Sequence, residues 1–275
     1  MPNIIRIDAL GAPELDIYIR LTGGELRHSV ECERGVLIAE SPTVIEVALE
    51  SGLTPLSLLT DERLLSGDVA RITELLPEGT PIYVADGELL RSITGFPLTR
   101  GALCAMQRPP EADLTEILAS SKRIAILEEI ADSTNVGAII RSAAALGIDA
   151  VLMTPTCCDA YCRRAVRVSM GTVFKLPVAK IGKSHTDWKT EGIDLLHRMG
   201  FKLVAMALTD RSVGLDDKRL RAEEKLAVVL GTEGTGLDKE TISLCDYTVK
   251  IPMERGVDSL NVGAAAAIAF YALTR

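Results

Sequence analysis

From Arg123 onward, short apolar runs alternate with longer segments of helical pattern, and this alternation constrains the fold more than any other feature of the chain. IAILEE, AVLMT, VFKLPV, KLVAMAL, LAVVL and YTVKIP read as strands. VGAIIRSAAALG, DAYCRRAVRVS, HTDWKTEGIDLLHRMG, KETISLC and VGAAAAIAFYALTR read as helices. Short strands without polar alternation are buried on both faces, so the pattern predicts an α/β unit with a mostly parallel sheet between layers of helices. Ligands of such sheets bind beyond the carboxyl ends of the strands, which directs attention to the strand-end loops.

Residues 1–105 read as a smaller α/β domain of their own. Val36–Ala39 is a strand and Glu40–Pro42 a turn; the helix after them carries Ile45, Val47, Ala48 and Leu49, with Glu46 and Glu50 on the opposite side. LTPLSLLT and PIYVAD add strands, DVARITELLP a second helix, and GALCAMQRP a closing strand. Pro109–Pro110 and the acidic EADLTEILASS mark a boundary, which makes 106–121 a linker and 122–275 the second domain. Charge divides at the same place. Residues 1–105 hold sixteen acids, eight arginines and no lysine, whereas 106–275 balance 22 acids against 22 bases, so the net charge of −8 belongs to the first part. That disfavours a purely electrostatic grip on phosphates by the first domain and leaves room for a basic patch in the second.

A composition of 47 % hydrophobic and 25 % charged residues suits a soluble folded protein, and no run of eighteen apolar residues offers a membrane span. The opening MPNIIRIDALGAPELD carries acids where a secretion signal would be basic and apolar, so the default location is cytoplasmic. Cys157, Cys158 and Cys162 cluster, but C-C-x3-C is not a structural-zinc spacing and the three histidines are far apart, so no metal site is expected.

Three strand-end constellations stand out. In ADSTNVGAIIRSAAALG, Ser133, Thr134 or Asn135 can cap a helix that Gly147 stops. The helix is broadly apolar, so Arg141 needs either an ion pair with Glu129 or Asp132, or a ligand. In LAVVLGTEGTGLDKE, Gly231, Gly234 and Gly236 allow tight turns and close backbone approach around Glu233. The spacing G-x-x-G-x-G is neither the dinucleotide fingerprint nor a P-loop. In MERGVDSLNVGAAAAIAFYAL, Ser259 or Asn261 is placed as a cap, and the alanines at 264–267 permit close helix packing against the sheet or another subunit. Between the first two, Arg163, Arg164 and Arg167 form a basic cluster that reads either as a solvated helix face or as a phosphate site.

Together, N-V-G-A-I-I-R at 135–141, L-G-T-E-G-T-G-L at 230–237 and S-L-N-V-G-A-A-A-A-I at 259–268 resemble the three ordered motifs of the SpoU/TrmH family, in the SPOUT superfamily of S-adenosylmethionine-dependent RNA methyltransferases. The likeness runs from Ile124 to the C-terminus; residues 30–105 resemble the L30e-like substrate-binding domain that many members carry in front. The resemblance implies a deep trefoil knot, a homodimer, and S-adenosyl-L-methionine held by the turn at 231–236, the segment Ile251–Met253 and the loop 259–263. Leu230, Gly231, Thr232, Gly234, Gly236, Ile251, Met253, Leu260, Asn261 and Gly263 would form that cofactor site. It further implies methylation of the ribose 2′-hydroxyl of a structured rRNA or tRNA. A nucleobase acceptor, or a knotted RNA-binding factor without turnover, is the alternative.

Arg141 matches the family's essential arginine, and Asn135, Glu233, Ser259 and Asn261 match positions that hold it, the nucleotide or the loops. An arginine, with a pKa above about 12, serves better to bind a phosphate or stabilise developing negative charge than to act as a base. Gly263 departs from the family, which commonly has serine there. RNA contacts fall to Arg163, Arg164 and Arg167, and to Arg20, Arg27 and Arg34 in the first domain; dispersed surface charge is the other reading of the last three.

Overall fold

The structure, a computed structural model, describes residues 3–8, 13–18, 35–95, 101–257 and 259–274. The chain divides into two compact units, Met1–Pro110 with Tyr161–Phe174, and Glu111–Ala160 with Lys175–Arg275. Arg20, Arg27 and Arg34 lie outside the described residues.

The first unit holds β1 (Asn3–Arg6), β2 (Val36–Glu40), α1 (Pro42–Glu50), β3 (Pro55–Asp61), α2 (Asp68–Leu75), β4 (Pro81–Ala85), α3 (Gly87–Thr94) and β5 (Ala102–Gln107). Its sheet runs β1-β4-β3-β5-β2, with β1, β4 and β3 parallel and β5 antiparallel to both of its neighbours. Ile38, Leu59, Leu90, Ile93 and Leu103 pack around Tyr18, whose hydroxyl oxygen accepts a bond from the Ala105 N–H and which also bonds Ser57. The sequence reading passed over α3, although Asp86 caps it by accepting from Glu88 and Leu89 N–H, and Gly95 ends it at φ 82.

The second unit holds α4 (Leu114–Ser120), β6 (Arg123–Leu127), α5 (Ser133–Leu146) and β7 (Ala150–Met153). After α6 (Arg163–Val168), which belongs to the first unit, come β8 (Val178–Lys180), α7 (Ile193–Arg198), β9 (Phe201–Met206), β10 (Val213–Gly214) and α8 (Lys218–Ala222). β11 (Lys225–Leu230), α9 (Lys239–Leu244), β12 (Tyr247–Lys250) and α10 (Val262–Thr274) complete it. The stretch 106–121 read as a linker thus contains the end of β5 and all of α4. VFKLPV is corrected: a 3-10 turn covers Thr172–Phe174, and the strand begins only at Val178, because Pro177 has no N–H to give a ladder.

Seven strands in the order β10-β12-β9-β11-β6-β7-β8 make an all-parallel sheet. Alternation sorts its side chains. Ile124, Ile126, Leu203 and Val229 meet Trp188, Ile193 and Leu196 on one face, so Ala125, Leu127, Val204 and Val228 point to the other. On that other face α5 packs against α10, and the buried Ile139, Ile140 and Ala143 match the buried Ala266, Ala269 and Phe270. No helix among the described residues is long and apolar enough to cross a membrane.

Candidate functional site

The loop after β11 occupies the carboxyl end of the central strands. Its three glycines answer to different demands. A methyl group on Gly231 would sit 2.5 Å from Leu237 N and 2.6 Å from the Gly236 oxygen, so the loop's two arms touch where it leaves the strand. Gly234 and Gly236 have open space but φ of 93° and 71°, which side-chain-bearing residues seldom adopt. Gly236 N–H donates to the Thr232 carbonyl at 3.1 Å and closes the loop. Sterics fix the neck and dihedrals fix the bend.

One amide joins this loop to two helix starts. Asn261 Nδ2 donates to Asn135 Oδ1 at 2.9 Å and to Glu233 Oε1 at 2.5 Å, while its Oδ1 accepts from Gly263 N–H at 3.0 Å and Ala264 N–H at 3.3 Å. Both donors and the acceptor are used, which orients the amide. Asn261 is therefore the cap of α10, and Ser259 is not. Asn135 is corrected from its capping role in the same way: Asp132 caps α5 through Thr134 and Asn135 N–H, a task its short carboxylate performs in place of Ser133 or Thr134. The Asn135 side chain is thereby left for Asn261. As expected, Gly147 ends α5, at φ 81.

A cleft of about 630 Å³ opens beside this junction. Leu230, Gly231, Thr232, Glu233, Gly234 and Gly236 line it from the loop. Ile251, Met253, Ser259, Leu260 and Asn261 line it from the segment before α10. Met206 at the end of β9, Leu208 just beyond it and Ile242 on α9 add apolar wall; the sequence reading did not select them, although KLVAMAL ends there by the same strand-end rule. Gly263 does not line the cleft. A side chain there would meet Ala138 at 3.2 Å, so glycine permits the close approach of α10 to α5.

Arg141 is exposed on α5 and does not line the cleft. No ion pair to Glu129 or Asp132 forms among the described residues; Glu129 lies 3.2 Å from His185 instead. Of the two readings, the ion pair does not form, and the burial expected of Arg141 does not hold, because the apolar face of α5 turns toward the sheet and α10 and leaves Arg141 outside it. Arg163 and Arg167 do share a face of α6, but both converge on the buried Glu40, at 2.9 and 3.2 Å. The solvated-face reading is corrected for these two, while Arg164 is exposed. Among the described residues, no group of three or more His, Cys, Asp or Glu could hold a metal ion, and Cys104, Cys157, Cys158, Cys162 and Cys245 form no disulfide.

The family model described as the SpoU rRNA Methylase family matches residues 122–271. An uncharacterized tRNA/rRNA methyltransferase of Mycobacterium tuberculosis is 38 % identical over 267 residues, 96 % of this chain and 89 % of the relative. A 23S rRNA (guanosine(2553)-2'-O)-methyltransferase of Bacillus subtilis is 28 % identical over 239 residues, 86 % and 87 % of the two chains. Among solved structures, an AdoMet-bound rRNA methyltransferase from Sinorhizobium meliloti is similar with a TM-score of 0.80 at 21 % identity, covering 98 % of this chain and 97 % of that one. The SpoU methyltransferase AviRb from Streptomyces viridochromogenes gives 0.78 at 25 % identity over 96 % of each chain. These likenesses are of fold: a smaller mixed-sheet domain and an all-parallel seven-stranded sheet typical of the SPOUT knot, the class the motifs implied.

Proposed function

The chain belongs to the SpoU rRNA methylase family, and on that premise we propose that it transfers a methyl group from S-adenosylmethionine to the ribose 2′-hydroxyl of a structured rRNA or tRNA. The observation that carries this reading is the meeting of three sequence-distant segments in the Asn135–Asn261–Glu233 junction at the edge of one cleft. The cleft fits the cofactor. Its volume of about 630 Å³ falls within the range of about 300–1,000 Å³ usual for small-molecule sites. Leu230, Ile251, Met253 and Leu260 offer apolar surface for a purine, the glycine backbone offers N–H and C=O groups at close range, and Glu233 offers negative charge.

When bound, the cofactor supplies an electrophilic methyl on a sulfonium centre. What the chain must add is alignment of the attacking oxygen, since such displacement needs positioning more than a covalent helper. Asn261 fixes the loop, the start of α5 and the start of α10 relative to one another. Arg141 would hold an RNA phosphate, whose oxygen can take the hydroxyl proton, and would stabilise the negative charge that develops on the attacking oxygen as the methyl leaves the sulfonium. The exposed Arg164 would touch RNA from the first unit, with Arg163 and Arg167 held on Glu40 beside it.

A homodimer accompanies this reading. Ile268 and Tyr271 on α10 are 41 % and 61 % exposed and border a second hollow with Leu215, Ile251 and Pro252. Ile251 lines both hollows, so pairing there would share a wall with the cofactor cleft. Cysteines that stand as thiols among the described residues suit a cytoplasmic home.

Labelled-methyl incorporation into RNA, followed by nuclease digestion, tests the proposal: a 2′-O-methyl group blocks backbone cleavage beside the modified nucleotide. A methyl group found on a base would replace the acceptor. Arg141→Ala is expected to lower turnover about 10²- to 10³-fold with cofactor affinity and melting temperature unchanged. Turnover near wild type would remove Arg141 from the mechanism, and failure of the wild type to bind the cofactor would remove the enzyme reading altogether.

A further inference from the structure

Glu128 follows β6 and is 1 % exposed, yet no cation faces it among the described residues. Its backbone N–H donates to the Leu230 carbonyl at 2.8 Å, immediately before the glycine loop. Its carboxylate Oε1 accepts from the Asp238 backbone N–H at 2.9 Å, immediately after that loop. Its Oε2 accepts from Trp188 Nε1 at 2.6 Å and from the Thr241 hydroxyl at 2.6 Å on α9. One residue thus holds both ends of the seven-residue span from Gly231 to Leu237. Trp188 begins a π-helical turn, Trp188–Gly192, a rare form that places the indole against this carboxylate. Lys189 in the same turn reaches Glu240 at 2.6 Å and Asp238 at 3.6 Å, so the loop's far end is gripped from outside as well.

We infer that Glu128 is a positioning residue for the cofactor: it sets the separation of the loop's two arms, and with it the shape of the backbone wall that Gly231–Gly236 present to the cleft. This rests on the cofactor-site reading above. Burying a carboxylate is costly, and three hydrogen bonds from neutral donors stabilise it in place. Asp238 N–H and Trp188 Nε1–H can only donate, one to each oxygen. An amide in place of the carboxylate would therefore turn its NH₂ against one of them, whichever way it lies. Removing the Thr241 hydroxyl leaves both of those bonds intact.

The test compares Glu128→Gln with Thr241→Val, using calorimetric titration of S-adenosylmethionine and residue-resolved amide exchange without cofactor. Glu128→Gln is expected to weaken cofactor binding about tenfold or more and to raise exchange across Gly231–Asp238, whereas Thr241→Val leaves both near wild type. Binding by Glu128→Gln within about twofold of wild type, with only its melting temperature lowered, overturns the inference. So does equal weakening by both variants. Exchange in the cofactor-free wild type decides even if Glu128→Gln does not fold: the Asp238 amide is expected to be protected, and exchange at the rate of an open loop sinks the idea. A wild type that binds no cofactor would refute the enzyme reading, whereas the exchange arm would still report on the clamp.

Discussion

Replacing Gly231 with alanine should damage the cleft more than any other single methyl group in the loop. The added carbon would lie 2.5 Å from Leu237 N and 2.6 Å from the Gly236 oxygen, and closer still to the Gly236 carbonyl carbon. Unstrained non-bonded carbon contacts sit at about 3.5–4.0 Å, so the arms must part by roughly 1 Å. All three obstacles are backbone, so no side chain can rotate away. Overpacking of this kind costs about 1–3 kcal/mol, and at about 2–4 °C per kcal/mol for a unit of this size the melting temperature should fall by about 2–12 °C. Binding should suffer more, because a shift of about 1 Å in positioning groups can cost about 10²-fold. Gly234→Ala is the matched control: it meets nothing within 4 Å and pays only for φ +93°, about 1–2 kcal/mol. Calorimetric titration with S-adenosylmethionine and thermal melts of both variants would measure this. If Gly231→Ala binds within about twofold of wild type, the neck of the loop does not shape the site.

Two further outcomes concern the first unit. Glu40→Gln should destabilise it by about 2 kcal/mol in urea unfolding, less than the ~3–5 kcal/mol for breaking a fully buried pair because both arginines keep some solvent contact; a change under about 0.5 kcal/mol would mark these as surface pairs. Asp61 is held below the ordinary carboxylate range by hydrogen bonds from Arg63, at 3.0 and 2.6 Å. Its folded pKa is depressed, so its contribution is fully present above the unfolded value of about 3.9 and is lost as pH falls through the lower folded value. The stability gap between wild type and Asp61→Asn should be flat from about pH 7 to pH 5 and shrink below about pH 4; a gap that persists unchanged into acid would contradict the pairing.

Much of the site was legible because glycine and caps act locally. The run ending at Leu230 is a strand by composition alone, and three glycines at its end demand a tight turn there; the reading of that turn as a ligand loop came only from the ordered motifs that accompany it. The parallel sheet was legible for the same reason: unbroken apolar runs are buried on both faces wherever they pair. Arg141 was misjudged because helical periodicity shows how many faces are apolar but not how far a neighbouring helix covers them. Asp132 was overlooked because four polar residues in a row all satisfy the capping rule, and only the backbone path selects one of them. The two arginines on Glu40 lie more than 120 positions from it in the chain, a pairing no local pattern encodes.

The sequence by itself determined which apolar runs become strands of the parallel sheet, where most of its helices lie, and where glycine is needed in the loop after β11, since these follow from each residue's own sterics and hydrogen-bonding groups. Only the tertiary structure decided which of those ends share a space. Asn261 between Asn135 and Glu233, and Glu128 between the two arms of the glycine loop, are contacts whose partners are set by strand order, and strand order follows from how the whole apolar sheet is buried rather than from any one segment.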